Sequence, residues 1–385
     1  MTVWDDVVGQ PALVQLLQSA VVSAQDRVAG GPGSGMTHAW LFTGPPGSGR
    51  SNAARAFAAA LQCDQGGCGS CNACRTSVTG AHPDVRLVRT DQLSIGIDDV
   101  RALVRDAALL PAMRRWQVLV VEDADRLTDQ AGDALLKSLE EPPPRTVWML
   151  CAPTAEDVLV TVRSRCRTLV LRTPPVTAIA EVLERRDKVP AAMAAYAARA
   201  SQGHIGRARA LARDEATRNR RREVLSIPGV LHDLGACLIA AANLHDVATE
   251  EGEAVAATLD SRELAELEQA WGAGERSART RGFTGALSGL RDDQKKRQKR
   301  VVRDSIDGAL IDLLSFYRDV LIVQTGASVA LVNAEVAAGV HQTARAGTPE
   351  QTLVHIEAIL ACRTALQDNA APLLALESLM LSLAE

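Results

Sequence analysis

HAWLFTGPPGSGRSNAARAFAAALQ, residues 38–62, is the stretch that decides the fold. His38 to Phe42 is an apolar run of strand length, and a helical pattern begins near Ser51. Between them lies Gly44-Pro-Pro-Gly-Ser-Gly-Arg50-Ser51. Gly44, Gly47 and Gly49 let backbone N–H groups wrap a phosphate, and the following helix N-terminus adds partial positive charge. The spacing fits the phosphate loop GxxxxGK[ST] at every fixed place but one, because Arg50 stands where the lysine belongs. That lysine delivers a compact charge to the β- and γ-phosphates, and a longer, planar guanidinium is not equivalent. Ser51 takes the place of the Mg²⁺ ligand. A ligand-free glycine turn is the plainer reading, and the strand–turn–helix context favours the phosphate loop.

Working outward, residues 10–23 have helical spacing and Gly30 to Gly35 form a small loop. Strand-like runs at 85–88, 118–121, 147–152 and 168–171 alternate with helical patterns at 100–110, 128–140 and 155–164. That alternation predicts a parallel sheet covered on both faces. The run Val118 to Val121 enters Glu122-Asp123-Ala124-Asp125, which would set carboxylates beside the phosphate loop to hold Mg²⁺ and polarise water. The usual order there is Asp then Glu, and here it is inverted. After Pro174-Pro175 no strand is evident. Residues 177–213 read as short helices broken at Gly203, and 216–385 as Ala- and Leu-rich helices. The expected fold class is therefore α/β plus all-α, in three domains over 1–173, 174–214 and 215–385.

Four of the eight cysteines fall within twelve residues, as Cys63-x4-Cys68-x2-Cys71-x2-Cys74. Four thiolates on one glycine-rich loop can close a tetrahedral site, which points to structural zinc, with an iron–sulfur cluster as the alternative. The other four cysteines are scattered through apolar surroundings, as inert core residues usually are.

Taken together, these residues resemble the delta-prime family of bacterial DNA polymerase III clamp-loader subunits. More loosely, they resemble the ATP-hydrolysing subunits of that complex and other AAA+ clamp-loader ATPases. The resemblance is carried by Val8-Gly9-Gln10, the phosphate loop, the cysteines placed after its helix and Leu135-Leu-Lys137-Ser-Leu-Glu140-Glu-Pro. Ser164-Arg165-Cys166 and Gly203-His-Ile-Gly206-Arg207-Ala complete it. It implies an AAA+ P-loop domain with a zinc-binding insertion at 63–74, a helical lid and a helical collar. It also implies roles: Val8, Gly9 and Gln10 lining an adenine pocket, Arg207 sensing the γ-phosphate, and Arg165 acting as an arginine finger on a neighbour's nucleotide. ATP or ADP with Mg²⁺ would be the ligand of the altered loop. The expected partners are other clamp-loader subunits in a hetero-pentamer, the sliding clamp, and primer–template DNA through the complex.

Arg50, the Glu122-Asp123 order and Cys151-Ala152-Pro153-Thr154, where the resembling motor subunits carry a polar sensor, are three departures in one site. With the finger kept, they imply a stator that is no competent ATPase by itself, within a polymerase holoenzyme whose clamp loader hydrolyses ATP. A hydrolysing motor subunit of the same complex is one alternative, and a free-standing zinc-containing DNA-binding protein is another. The second sits poorly with a net charge of −4 and 3% aromatics, which leave little for a basic or stacking surface. Residues 291–303 (RDDQKKRQKRVVR) hold seven basic residues, with Lys296, Lys299, Arg300 and Arg303 on one helical face. They read as a solvated helix face or as a contact to DNA phosphate or protein. Gly282 to Leu290 before them read as a loop. No apolar run reaches the ~18–20 residues that span a bilayer, and the N-terminus has no signal-peptide pattern. A soluble cytoplasmic protein with no membrane partner is expected.

Overall fold

The computed structural model describes residues 2–90, 94–113, 115–270 and 281–384. They fall into two compact units, Met1–Arg213 and Asp214–Glu385.

The first unit follows the alternation in the sequence. Its elements are α1 (Pro11–Val28), β1 (Ala39–Thr43), α2 (Arg50–Gln62), α3 (Asn72–Thr79), β2 (Val85–Val88), α4 (Ile97–Ala107) and β3 (Gln117–Val121). They continue with α5 (Asp129–Glu140), β4 (Thr146–Ala152), α6 (Val160–Arg163) and β5 (Arg167–Val170), then α7 (Val176–Arg185), α8 (Ala191–Ala200) and α9 (Ile205–Arg213). The five strands are all parallel, in the order β2-β3-β4-β1-β5. Successive strand residues point to opposite faces, and both faces are buried. Trp40, Phe42, Val118, Val120 and Met149 pack against α1 and α2, while Leu41, Leu119, Val121, Trp148 and Leu150 pack against α4, α5 and α6. The phosphate loop joins the C-terminal end of β1 to α2, and the acidic turn follows the C-terminal end of β3, on the same side of the parallel sheet with β4 between them. This is the AAA+ P-loop arrangement. The helices α7, α8 and α9 share their own core, in which Ile179, Leu183, Ala197 and Leu211 meet Val8 from the N-terminal segment.

The second unit is all helical: α10 (Glu215–Ser226), α11 (Leu234–Ala270), α12 (Arg281–Thr325), α13 (Ala337–Ala346), α14 (Pro349–Gln367) and α15 (Pro372–Ala384). Leu310, Leu313, Tyr317, Ile359, Leu376 and Met380 are among its core residues. The loop expected over 282–290 is instead the first part of α12. Three glycines in nine residues have low helix propensity, which the tertiary packing of α12 as a whole, including that against α11, outweighs. The basic segment 291–303 also lies on α12, and part of it faces partners in its own unit. Arg297 donates to Asp260 and Glu263 of α11 at 2.5 and 2.6 Å, Arg303 donates to Asn369 at 2.7 Å, and Lys295 and Lys299 are exposed. No helix among the described residues is long and apolar enough to cross a membrane.

Candidate functional site

The phosphate loop has the backbone its glycines predict. Gly47 and Gly49 have φ of +83° and +91°, a region that L side chains rarely enter, and Gly49 caps α2 in the left-handed conformation. Arg50 is the first residue of α2 and turns back into the loop, where its Nη1 donates to the Gly44 carbonyl at 2.5 Å. Ser51 follows on the first turn. Burial lowers the Arg50 pKa, and the opposing field comes from Cys151, Asp125, Asp123 and Asp157. Asp125 belongs to the acidic turn that the sequence points to, whereas Asp157 is a member of this site outside that motif. Burial in turn raises the Asp125 carboxyl.

The two carboxylates expected to serve a metal ion have different surroundings. Glu122 is 8% exposed and accepts a 2.5 Å hydrogen bond from Nε of Arg55, one turn along α2. Asp123 contributes to the field around Arg50. Cys151, near the C-terminal end of β4, is fully buried, and burial, then the Glu122 charge, keeps its thiol protonated.

From the start of α9, His204 approaches the loop. A Cβ built on Gly47 would lie 2.5 Å from the His204 Cα, so only glycine fits there. His204 Nδ1 accepts from the Arg207 backbone N–H at 3.2 Å. Shielding from water, then the Arg207 and Arg50 charges, lowers the His204 pKa and leaves the ring neutral. Arg207 and Arg50 therefore share one neighbour. In Val8-Gly9-Gln10, Val8 packs into the helical core, Gly9 has φ +71° against Pro174 and Pro175, and Gln10 pairs with the backbone of Arg172. Its Nε2 donates to the Arg172 carbonyl at 2.5 Å and its Oε1 accepts the Arg172 N–H at 3.3 Å.

Arg165 stands apart from this group. It follows the single turn of α6, with its side chain one-third exposed. Its Nε donates to Glu140 at 2.8 Å, Nη2 also reaches Glu140, and Nη1 donates to the Thr161 carbonyl at 2.8 Å and to Ser164 Oγ at 3.2 Å. Glu140 lies in a motif that carries the resemblance, but no pairing with Arg165 follows from that motif. The signal available was an acid in the last turn of a helix, where the dipole favours a cation.

The four clustered cysteines converge. Their Sγ atoms all lie within 4.8 Å of one another, with Cys63 and Cys71 3.8 Å apart. A tetrahedral site with metal–sulfur bonds of about 2.3 Å sets its sulfurs about 3.8 Å apart, so the set fits one zinc ion with no open position. Cys71 is also the N-cap of α3, which begins within the cysteine-bearing loop, and its Sγ accepts from the Cys74 N–H at 3.3 Å. The Ser70 hydroxyl, then the Cys71 N–H, lowers the Cys68 pKa to about 6. Against the opposing effect of burial, the N–H groups of Cys68, Gly67 and Gln65 lower that of Cys63. Burial raises Cys71 and Cys74.

A family model described as DNA polymerase III, delta subunit, matches residues 24–175, and one for the C-terminal part of that subunit matches residues 302–385. The chain is similar to DNA polymerase III subunit delta' of Bacillus subtilis, 31% identical over 58% of this chain and 65% of that one. It is similar to subunit delta' of Escherichia coli, 34% identical over 45% and 54%. Subunit gamma/tau of Mycobacterium tuberculosis is 35% identical over 39% of this chain and 27% of its own length. Less than two thirds of each of these relatives is thus covered. Among solved structures, a RuvB mutant of Thermotoga maritima aligns at a TM-score of 0.37 and 18% identity, over 57% of this chain and 64% of that one. A DNA polymerase III gamma subunit-related protein of the same organism aligns at 0.32 and 16%, over 70% and 94%.

Proposed function

Because the chain belongs to the clamp-loader subunit family of bacterial DNA polymerase III, we propose that it is a stator: a subunit that completes a neighbour's ATPase site and hydrolyses little itself. The observation that carries this is the contrast between its two halves of an ATPase site. In its own phosphate loop the guanidinium that replaces lysine is bonded to the loop carbonyl, and Glu122 is ion-paired to Arg55. Away from that loop Arg165, one-third exposed and held by Glu140, follows a short helix, and in this reading it is the group offered to a neighbour's nucleotide. In this reading residues 1–173 form the P-loop domain, 174–214 the lid and 215–385 the collar of a hetero-pentamer that loads the sliding clamp onto primer–template DNA.

ATP or ADP with Mg²⁺ would meet this loop through the N–H groups around Gly47 and Gly49, with Ser51 and Asp123 toward the ion and Arg207 toward the last phosphate. The altered residues set how far chemistry goes. Turnover by the isolated chain is expected to stay far below the ~1 s⁻¹ at the low end of ordinary enzymes. Arg50→Lys alone should not restore it, since Glu122 keeps its Arg55 partner. Steady-state phosphate release at ~1 s⁻¹ or above from the purified chain would overturn the stator reading in favour of a motor.

Zinc is the proposed occupant of Cys63, Cys68, Cys71 and Cys74. It would tie the end of α2 to the start of α3, a folding role rather than a catalytic one. Elemental analysis is expected to find one zinc per chain, and none after Cys71→Ser, with the α/β helicity kept because the loop is an insertion. Binding requires thiolates, so it releases protons. Below about pH 6, protonation of Cys68 competes with the metal and affinity falls. As pH rises, Cys71 and Cys74 give up their protons more readily and affinity climbs. Zinc retention that does not change between pH 8 and pH 5 would contradict this ligand set.

A further inference from the structure

Glu140 is the last residue of α5, and its carboxylate sits where that helix's unsatisfied carbonyl groups already concentrate negative charge. An acid there is locally unfavourable, and departures from local rules cluster at functional positions. What answers it is Arg165, 25 residues further along. Two guanidinium nitrogens, Nε and Nη2, donate to the same oxygen, Oε1. The third, Nη1, spans the Thr161 carbonyl and the Ser164 hydroxyl. A guanidinium carries five N–H donors, and four of them are directed at acceptors in this chain. A phosphate is gripped by two parallel donors, so Arg165 cannot engage one bidentately without giving up at least one of these bonds.

We propose that Glu140 is a catch on Arg165. It holds the guanidinium against its own chain and sets how closely a neighbour's nucleotide must approach before it captures the arginine. The inference rests on reading Arg165 as a trans-acting finger. Glu140 is then a positioning residue, acting only through Arg165 and touching no substrate. Both side chains are accessible, at 33% and 49%, so an incoming anion can compete for the guanidinium directly. Carboxylate and phosphate suit the same planar fork, and the phosphate carries the larger charge. A neighbour in full register therefore wins, and one held loosely does not. An exposed ion pair of this kind biases an equilibrium about two- to fivefold, enough to set a threshold and too little to block the finger.

The test uses the assembled complex of this chain with its partner subunits. Glu140→Gln keeps the side-chain length and removes the charge. ATPase without clamp or DNA is expected to rise about two- to fivefold, while the rate with both present stays unchanged, because capture is then complete either way. Glu140→Asp, which keeps the charge, should keep the low basal rate. In an Arg165→Ala background Glu140→Gln should change nothing, a result that general loosening of α5 would not give. If Arg165→Ala lowers the stimulated rate but Glu140→Gln leaves the basal rate unchanged or lowers it, the catch is wrong and the finger stands. If Arg165→Ala is itself without effect, the finger reading fails and the catch falls with it.

Discussion

A complex assembled with Arg165→Ala is expected to load clamps slowly and to lose most of the clamp- and DNA-stimulated ATPase of one site, while folding and assembly stay intact. A guanidinium at the γ-phosphate stabilises the charge that spreads over the transferring group, and fingers supplied in trans are worth about 10³–10⁵ in rate at the site they serve. The whole-complex rate falls by less, because other sites keep their own fingers, so single-site silencing shows best in clamp loading. Stability is little affected. The bonds lost are those of a one-third-exposed arginine, and such a pair contributes about 1 kcal/mol at most. Arg165→Lys should rescue poorly, since an ammonium is a point charge and cannot reproduce the fork. The ATPase of this chain alone should not move. Normal assembly with wild-type clamp loading would remove the finger.

The comparison of sequence with structure follows the range of each signal. Glycine spacing, the apolar strands and the cysteine spacing are local, and the parallel sheet, the phosphate loop and the clustered thiols follow from them. Partners distant in sequence were not legible. That Glu122 meets Arg55, 67 residues earlier, and that Gln10 pairs with the backbone of Arg172, 162 residues later, depends on the packed sheet. Of the basic run on α12, Lys296 and Lys299 are exposed, whereas the pairing of Arg297 with Asp260 and Glu263, on another helix more than thirty residues back, was not legible. α3 was missed although its stop signal was present. Gly80 takes the left-handed C-terminal position with φ +79°, while the N-cap is a cysteine, Cys71, rather than the Ser, Thr, Asp or Asn that marks a helix start in sequence.

Arg221 is where the largest loss of stability is expected, and no motif marks it. Its side chain is 2% exposed within the second unit. Nε donates to Asp312 at 3.0 Å, and Nη1 and Nη2 reach Glu335 and Asn333. Asn333 in turn donates to Ser315 at 3.1 Å and to Asp319 at 2.9 Å, and Asp319 accepts the N–H groups of Val332 and Asn333. The network pins the connection between α12 and α13 to α10. Arg221→Ala strips the buried Asp312 carboxylate of its guanidinium, and breaking a buried pair from one side costs about 3–5 kcal/mol. Arg221→Met should recover little, because the buried Asp312 carboxylate keeps its charge and loses the Arg221 guanidinium. Arg221→Met with Asp312→Leu should recover most of the loss, because no buried charge is left without its countercharge. Four of the five tryptophans lie in the first unit, so fluorescence mainly follows that unit while circular dichroism follows the helices of both. In urea the helical transition is expected to move to lower concentration ahead of the fluorescence transition. A shift worth less than about 1 kcal/mol for Arg221→Ala, within the range of an exposed pair, would mean that solvent reaches Asp312 and that the network is not what orders this unit.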